Sequence, residues 1–242
     1  EWQNEFEIAN SLNLRQIEWT VDYEETITNP IFFESGRKQI AHLQDKFNIG
    51  VPSVTADAIM QKPFWKSHPN ELASLIAYTK NFIRASFKCG IKIIVVPIVD
   101  NGSIETATQK KALEEFFEGY ELALKKQNIR IAFETEMSPT DTAKFIEGFN
   151  PEVFGINFDI GNSAARGYEC AQEFKAYGQR IINVHVKDRV LNGPTVPLGQ
   201  GNANFEDVFL GLKKIGYGGN FILQTARADD GNHVGAIRSH IG

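Results

Sequence analysis

The sequence predicts one α/β domain over residues 1–242, a (β/α)8 barrel in which parallel strands alternate with helices. Three observations favour this fold. Apolar strand-like runs alternate with amphipathic helical segments along the whole chain. The runs stay apolar on both faces, as in a parallel sheet that is covered by helices. The chain has 242 residues, and such a barrel typically needs roughly 250.

Seven strands are predicted, each after a helical segment. They occupy residues 15–21, 48–55, 91–99, 129–136, 153–162, 180–188 and 220–227. Helices are predicted in residues 1–13, 34–47, 70–90, 104–128, 138–149, 168–178 and 204–218. Capping residues support these boundaries: Ser138 and Pro139 open one helix, while Gly90 and Gly216 follow the ends of two others.

The two ends of the chain depart from the full eight-stranded pattern. Because the sequence opens with a helix, the first strand of the barrel is expected to be missing from the chain. The final residues, 231–242, are expected to form a shortened last helix. A doubly wound open sheet is the alternative fold, but no G-x-G-x-x-G turn follows any predicted strand.

Composition narrows the class of partner. The net charge of −5 disfavours nucleic acid, which binds basic surfaces. No apolar run approaches the roughly 20 residues that cross a bilayer, so no membrane contact is expected. Cys89 and Cys170 lack metal-site spacing and are predicted to be reduced thiols of a cytoplasmic protein. The sequence is compatible with a homo-oligomer.

Four of the predicted strands end in residues that can bind a metal ion. Glu134, Asp159, His185 and Gln224 follow the runs IRIAF, VFGINF, RIINV and NFIL. The carboxyl ends of parallel barrel strands meet at one mouth, so these residues are expected to cluster. Two carboxylates, an imidazole and an amide oxygen suit one divalent cation, Mn²⁺, Zn²⁺, Co²⁺ or Mg²⁺.

Each of these residues also has an ordinary structural explanation. Glu134 could form a strand-end salt bridge, and Asp159 could cap the Gly-Asn turn expected after it. His185 is the one histidine of five inside a strand pattern, and a lone strand histidine is more often a core residue. The coincidence of three such residues at the same end of three strands favours the metal site.

Other polar residues near predicted strand ends are candidates for binding substrate. Glu18 and Asp100 end two earlier strands and could orient substrate hydroxyls or form rim salt bridges. Asn162, three residues after Asp159, is a further candidate for substrate binding.

Three cations are candidates for holding a phosphate. Arg166, Lys187 and Arg227 follow the last three strands, although each could equally be a solvated surface cation. The loop TVPLGQGNANF lies where such barrels often bind phosphate, and its glycines leave backbone N–H groups free to approach an anion.

Several motifs together resemble the xylose isomerase-like TIM-barrel superfamily. They are IEW, VPS, FDIGN, HVKD, VPLGQG and GYGGNF, and the most specific run extends from HVKD to GYGG. The resemblance covers nearly the whole chain. It is strongest to the sugar-phosphate isomerase/epimerase branch, which includes L-ribulose-5-phosphate 3-epimerase and hexulose-6-phosphate isomerase-like proteins.

This resemblance implies a divalent-metal-dependent isomerase or epimerase acting on a sugar or sugar phosphate. The family's metal is held by Glu, Asp, His and Glu, which correspond here to Glu134, Asp159, His185 and Gln224. The family's two glutamates move the substrate proton through a metal-stabilised enediolate. Glu134 is therefore the expected acid/base, whereas Gln224 stands in the second catalytic position without being a base.

The glutamine leaves several functions open. A single-base isomerisation suffers least from it, and Glu136 or Asp229 could supply a second carboxylate. An inosose dehydratase-like lyase and a non-catalytic sugar-binding barrel are the alternatives. An endonuclease IV-like DNA repair enzyme is disfavoured, because it needs several histidines at its three metals and the chain is acidic.

Overall fold

The computed structural model describes residues 2–241, in which seven strands form one sheet. Together with a two-stranded hairpin, the described residues contain nine strands: β1 (Gln16–Thr20), β2 (Gly50–Thr55), β3 (Ile93–Ile98), β4 (Arg130–Thr135), β5 (Phe154–Asp159), β6 (Ile181–Val186), β7 (Asp188–Arg189), β8 (Thr195–Val196) and β9 (Asn220–Leu223). The sheet has the order β1-β2-β3-β4-β5-β6-β9, and β7 pairs with β8 in a separate hairpin. All seven predicted strands are thus present.

Helices separate the strands of the main sheet. They are α1 (Asn4–Ser11), α2 (Glu34–Phe47), α3 (Asp57–Gln61), α4 (Pro69–Lys88), α5 (Ala107–Gln127), α6 (Pro139–Glu147), α7 (Ile160–Arg166), α8 (Cys170–Tyr177), α9 (Phe205–Lys214) and α10 (His233–Ile241). Within residues 2–241, no helix combines the length and apolar character that crossing a membrane requires. Both cysteines are free thiols, as expected.

The predicted helix caps are confirmed. The Ser138 hydroxyl accepts the backbone N–H of Asp141 at 3.2 Å, and Pro139 is the first residue of α6. Gly90 and Gly216 follow α4 and α9 with φ angles of 83° and 74°. Residues with a Cβ rarely adopt this left-handed conformation, which explains glycine at both helix ends.

Residues 1–133 form one compact unit. In it, β1 pairs with β2 and β2 with β3, in each case in parallel. Phe6, Ile40 and Phe82 are fully buried in its core. Helix α5 begins with a capping box, because the Thr106 hydroxyl accepts the Gln109 N–H at 3.2 Å and the Gln109 side chain accepts the Thr106 N–H.

Residues 134–242 form a second compact unit. There β5 pairs with β6 and β6 with β9, again in parallel. Every residue of β5 and β6 is buried, and the side chains on one face of each strand are apolar, as expected where helices cover the sheet. In contrast, β9 is only partly buried, and Phe221 is 44% exposed.

One local expectation in this second unit is wrong. A Gly-Asn turn was expected after Asp159, but helix α7 begins there instead. The Asp159 carboxylate accepts the backbone N–H of Asn162 at 2.8 Å and so caps the first turn of the helix. A short polar side chain favours a turn and a helix start by the same hydrogen bond, which is why the pattern did not separate them.

In the loop expected to bind phosphate, backbone N–H groups donate to a carboxylate of the protein itself. Asp188, fully buried, accepts the backbone N–H groups of Gly199, Gly201 and Ala203 at 2.9 to 3.0 Å. The N–H groups proposed for a phosphate are therefore bound to this carboxylate. Asp188 also begins the β7–β8 hairpin, so the same interaction ties the loop to the end of β6.

A second buried acid joins α7 to α8. Glu173 is 3% exposed, and its carboxyl group accepts hydrogen bonds from Ser163 and, at 2.7 Å, from the Tyr177 hydroxyl. Burial raises the pKa of Glu173, and the two hydrogen bonds only partly offset this effect. Burial and the neighbouring Glu173 also raise the pKa of Tyr177 well above its usual value.

We predict that Gly201→Ala destabilises the protein. A Cβ at this position would lie 2.6 Å from the Arg189 carbonyl oxygen and would also collide with the Asp188 carboxylate. Such overpacking costs about 1 to 3 kcal/mol in the free energy of unfolding, which urea titration measures. The control is Gly218→Ala, where an added Cβ meets nothing within 4 Å. Equal stability of the two variants would contradict the tight contact.

We predict that Glu173→Gln changes how stability depends on pH. A carboxyl group with a raised pKa binds its proton more tightly in the folded chain, so the wild-type protein loses stability as pH rises from about 4 towards the folded-state pKa. Glutamine stays neutral and does not show this loss. The difference in free energy of unfolding between variant and wild type should therefore grow with pH in the variant's favour. Exposed Glu169→Gln should leave the slope unchanged, and a pH-independent difference for Glu173→Gln would refute the assignment.

Candidate metal centre

Three predicted metal ligands meet in the second unit. Glu134, Asp159 and His185 each offer one ligand atom, and these atoms lie within 4.8 Å of one another. His185 Nδ1 is 3.2 Å from Glu134 Oε2 and 3.8 Å from Asp159 Oδ2. All three side chains are buried, at 6%, 4% and 1% exposure respectively. The strand ends thus form a dry cluster of two carboxylates and one imidazole.

Strand register explains how two of these residues meet. Asp159 of β5 and His185 of β6 are directly paired across the sheet, and Asn157 and Asn183 are paired two residues earlier. Side chains alternate between the faces of a strand, so all four point to the same face. The site therefore has a row of ligands with a row of amides below it.

The amides orient the Glu134 carboxylate. Asn157 Nδ2 donates to Glu134 Oε2 at 2.7 Å, and Asn162 Nδ2 donates to Glu134 Oε1 at 2.8 Å. Asn157 is oriented in turn by Asn183, whose Nδ2 donates to Asn157 Oδ1 at 2.9 Å. Both carboxylate oxygens thus have an amide donor, which fixes the rotation of the group.

The donor set fits a cation. Glu134 Oε2 and Asp159 Oδ2 both lie near His185 Nδ1 in one buried cluster, and a positive charge bound among two carboxylates and an imidazole would stabilise them there. Asn157 Nδ2 lies 3.0 Å from His185 Nδ1. An amide nitrogen only donates, so Asn157 and a metal ion would compete for the one lone pair that Nδ1 of a neutral imidazole offers.

The two carboxylate oxygens of Asp159 have different partners. Oδ1 caps α7, whereas Oδ2 faces His185 and lies 3.4 Å from Lys187 Nζ. Burial opposes ionisation of Asp159, but His185, Lys187 and the Asn162 N–H together outweigh it and lower its pKa. These contacts therefore favour the anionic form of Asp159, which is the form that binds a cation.

Gln224 differs from the other predicted ligands. Its backbone N–H donates to the Val186 carbonyl at 3.0 Å, one step beyond the pairing of Val186 with Leu223. The residue therefore continues β9 at the predicted end of the sheet. Its side chain is exposed, in contrast to the three buried residues. A ligand role for Gln224 stays a prediction.

Two of the cations predicted to bind substrate, Lys187 and Arg166, form ion pairs with carboxylates of the second unit. The third, Arg227, is exposed. Lys187 pairs with Asp159, and Arg166 Nε donates to Glu136 Oε2 at 2.9 Å. Arg189, which the sequence did not single out, donates to Glu136 Oε1 at 2.9 Å. A phosphate role for these cations also stays a prediction.

Two candidate substrate-binding residues, Glu18 and Asp100, belong to the first unit. Glu18 on β1 accepts a hydrogen bond from the Thr55 hydroxyl at 2.6 Å. It also lines a cavity of about 580 Å³ together with Trp2 and Trp19. Asp100 is exposed and has a φ of 47° at the start of a 3-10 turn. Substrate binding by either residue remains a prediction.

Several residues around the ligands were not predicted from the sequence. Asn157 and Asn183 are polar residues inside apolar strands, two positions before Asp159 and His185. That spacing places them on the ligand face and could have identified them. Arg189 and Glu173 gave no comparable signal, because their partners come from other elements of the fold.

Comparisons with known proteins identify the family of this chain and its relatives. The family described as xylose isomerase-like TIM barrel matches residues 6–240. The L-ribulose-5-phosphate 3-epimerase UlaE of Escherichia coli O1:K1 / APEC is 23% identical over 232 residues, which cover 92% of this chain and 81% of the relative.

Solved structures share the fold. A xylose isomerase domain protein from Planctomyces limnophilus superposes with a TM-score of 0.79 at 19% identity, covering 97% of this chain and 89% of that one. A xylose isomerase-like TIM barrel protein from Mycobacterium smegmatis, in complex with magnesium, superposes with a TM-score of 0.72 at 14% identity, covering 99% and 86%.

The predicted fold class is confirmed by these matches, and the chain is related to sugar isomerases and epimerases. The family match extends over nearly the whole sequence, from α1 into α10. The chain therefore belongs to the xylose isomerase-like TIM barrel family.

Proposed function

We propose that this chain is a divalent-metal-dependent isomerase or epimerase of a sugar or sugar phosphate, with Glu134 as its acid/base. The observation that carries the proposal is the buried convergence of Glu134, Asp159 and His185 within 4.8 Å. Its relationship to L-ribulose-5-phosphate 3-epimerase supports a sugar phosphate as substrate. A cytoplasmic location and any homo-oligomer stay predictions.

The proposed ligands are the three convergent atoms, Glu134 Oε2, Asp159 Oδ2 and His185 Nδ1, with Gln224 as a fourth. A divalent cation bound there would supply positive charge that stabilises an oxyanion of the substrate. Asp159 is committed to the α7 cap and to Lys187, so it is suited to binding rather than to proton transfer.

Glu134 is the better candidate for moving a proton. The amides of Asn157 and Asn162 fix its carboxylate, and Oε1, which is not assigned to the cation, keeps a second lone pair for a proton. As a base it would take the proton from the carbon next to the substrate carbonyl and leave an enediolate. The same carboxyl group would then return the proton to the neighbouring carbon.

Gln224 favours a reaction that needs one base. An amide does not accept a proton at neutral pH, so exchange on two opposite faces of the substrate lacks its second group. Glu136 is bound by Arg166 and Arg189, and Asp229 is exposed, which makes both weak replacements. Aldose–ketose isomerisation therefore fits better than epimerisation.

Two other functions share the same site. An inosose dehydratase-like lyase would also use one base and one cation. A non-catalytic sugar-binding barrel is favoured by one observation, the exposed side chain of Gln224 in the position of the family's second glutamate.

We predict that Glu134→Gln abolishes proton exchange into substrate. Metal-loaded protein is incubated in deuterated water with a panel of ketoses and ketose phosphates, and deuterium at the carbon next to the carbonyl is followed by NMR. Loss of a general base lowers the rate by about 100-fold or more. The control is Glu147→Gln, an exposed residue at the end of α6. Exchange that persists in Glu134→Gln would overturn the assigned role, and no exchange in the wild type would favour the binding-protein alternative.

We predict that Gln224→Glu tightens Mn²⁺ binding if residue 224 is a ligand. A full negative charge about 4 Å from a cation contributes roughly 1 to 4 kcal/mol per unit charge at a protein surface, so the Kd should fall by about 10-fold or more. Isothermal titration calorimetry measures this change. Exposed Gln172→Glu provides the same charge away from the cluster and should leave the Kd nearly unchanged. Equal Kd values for both variants would exclude residue 224 from the site.

A further inference from the structure

We propose that Arg189 is a positioning residue for Glu134, acting through the side-chain amide of Asn162. The inference rests on the proposed function, because it concerns the same carboxylate. Arg189 does not contact any of the three ligand residues through a hydrogen bond described for residues 2–241. Its effect on Glu134 therefore has to pass through Asn162.

The guanidinium group of Arg189 is held on three sides. Its Nη1 donates to Asn162 Oδ1 at 2.8 Å and to Glu136 Oε1 at 2.9 Å, and its Nε donates to the Gly193 carbonyl at 3.1 Å. The side chain is 24% exposed, so much of it is screened from water. Because the three acceptors lie in different directions, they fix the orientation of the guanidinium group.

This orientation selects one of the two ways in which the Asn162 amide can point. A guanidinium group only donates, so it requires the oxygen end of the amide to face it. The nitrogen end then faces Glu134 and donates to Oε1 at 2.8 Å. Asn162 is 4% exposed, and its backbone N–H is fixed on Asp159, so the side chain has little freedom to find other partners.

Without Arg189, no guanidinium group would hold the Asn162 amide in this orientation. A rotated amide would present its oxygen to the Glu134 carboxylate, and two acceptors at this distance repel each other. The carboxylate would then have to turn away, which also moves Oε2 relative to His185. Partners of this kind typically change metal affinity by about 10- to 100-fold when they are removed.

Arg166 provides a matched comparison. It also binds Glu136, through Nε at 2.9 Å, and carries the same charge. Of these two arginines, Arg189 is the one that is hydrogen-bonded to Asn162 in the described part of the chain. A general effect of charge near Glu136 would appear in both variants, whereas orientation of Asn162 would appear only in Arg189 variants.

The first test uses the metal-free protein and needs no substrate. The side-chain NH₂ signals of Asn162 are recorded in a ¹H–¹⁵N NMR spectrum and assigned by their loss in Asn162→Ala. We expect Arg189→Met to shift or broaden these signals and Arg166→Met to leave them in place. Unchanged signals in Arg189→Met would overturn the proposal. Arg189→Lys, which keeps the charge and a donor, should restore part of the wild-type spectrum.

The second test measures Mn²⁺ affinity in a double-mutant cycle. Arg189→Met should weaken the Kd for Mn²⁺ by about 10-fold or more, and Arg166→Met by less than about 2-fold. In the Asn162→Ala background, Arg189→Met should cause no further loss, because its route to Glu134 is already removed. Losses that multiply in the double variant would overturn the route through Asn162. Far-UV circular dichroism and the Tm verify that each variant is folded.

The two tests separate this inference from the proposed function. If the wild-type protein fails to bind Mn²⁺, the proposed metal centre fails, and the NMR experiment alone decides whether Arg189 orients Asn162. If Mn²⁺ binds and the cycle is additive, the metal centre stands and the positioning role is rejected. Turnover of a sugar is needed for neither result.

Discussion

The convergence of two buried carboxylates on one imidazole is the constraint on which the rest of the site depends. Charges of this kind are costly in a dry interior unless each oxygen has a partner. Here amides face Glu134, the start of α7 and Lys187 face Asp159, and Asn157 lies against His185. Two carboxylates and one imidazole within 4.8 Å of one another are also a set of groups that a divalent cation can bind. The hydrogen bonds that stabilise these buried polar groups therefore also orient the proposed metal ligands.

The strand pattern explains how much of this could be predicted from sequence. Glu134, Asp159 and His185 each end an apolar run, and the carboxyl ends of parallel strands lie at the same edge of the sheet. The same pattern predicted the seven strands and the main helices, because buried strands such as β5 and β6 are apolar apart from their ligand face. The alternation of side chains would also have identified Asn157 and Asn183 as members of the ligand face. The ligand roles themselves stay predictions.

What the sequence did not predict depends on contacts between elements. Helix α7 begins where a turn was expected, since an aspartate before a Gly-Asn pair favours both structures. The glycine loop was expected to bind an external phosphate, but its N–H groups bind Asp188, a residue 11 to 15 positions earlier. Glu173 acquires its raised pKa only because α7 and α8 bury it. Arg189 reaches Asn162 only through the β7–β8 hairpin, which no local pattern indicated.

The most direct test of the account is pulsed EPR of the protein loaded with Mn²⁺. Coordination by the Glu134, Asp159 and His185 cluster predicts one Mn²⁺ ion per chain, with electron spin echo modulation from the nitrogen of a single imidazole ligand. That modulation should disappear in His185→Gln while the protein remains folded. A wild-type spectrum of free Mn²⁺, or a bound ion without imidazole nitrogen coupling, would contradict the central claim that these three strand ends form a metal centre.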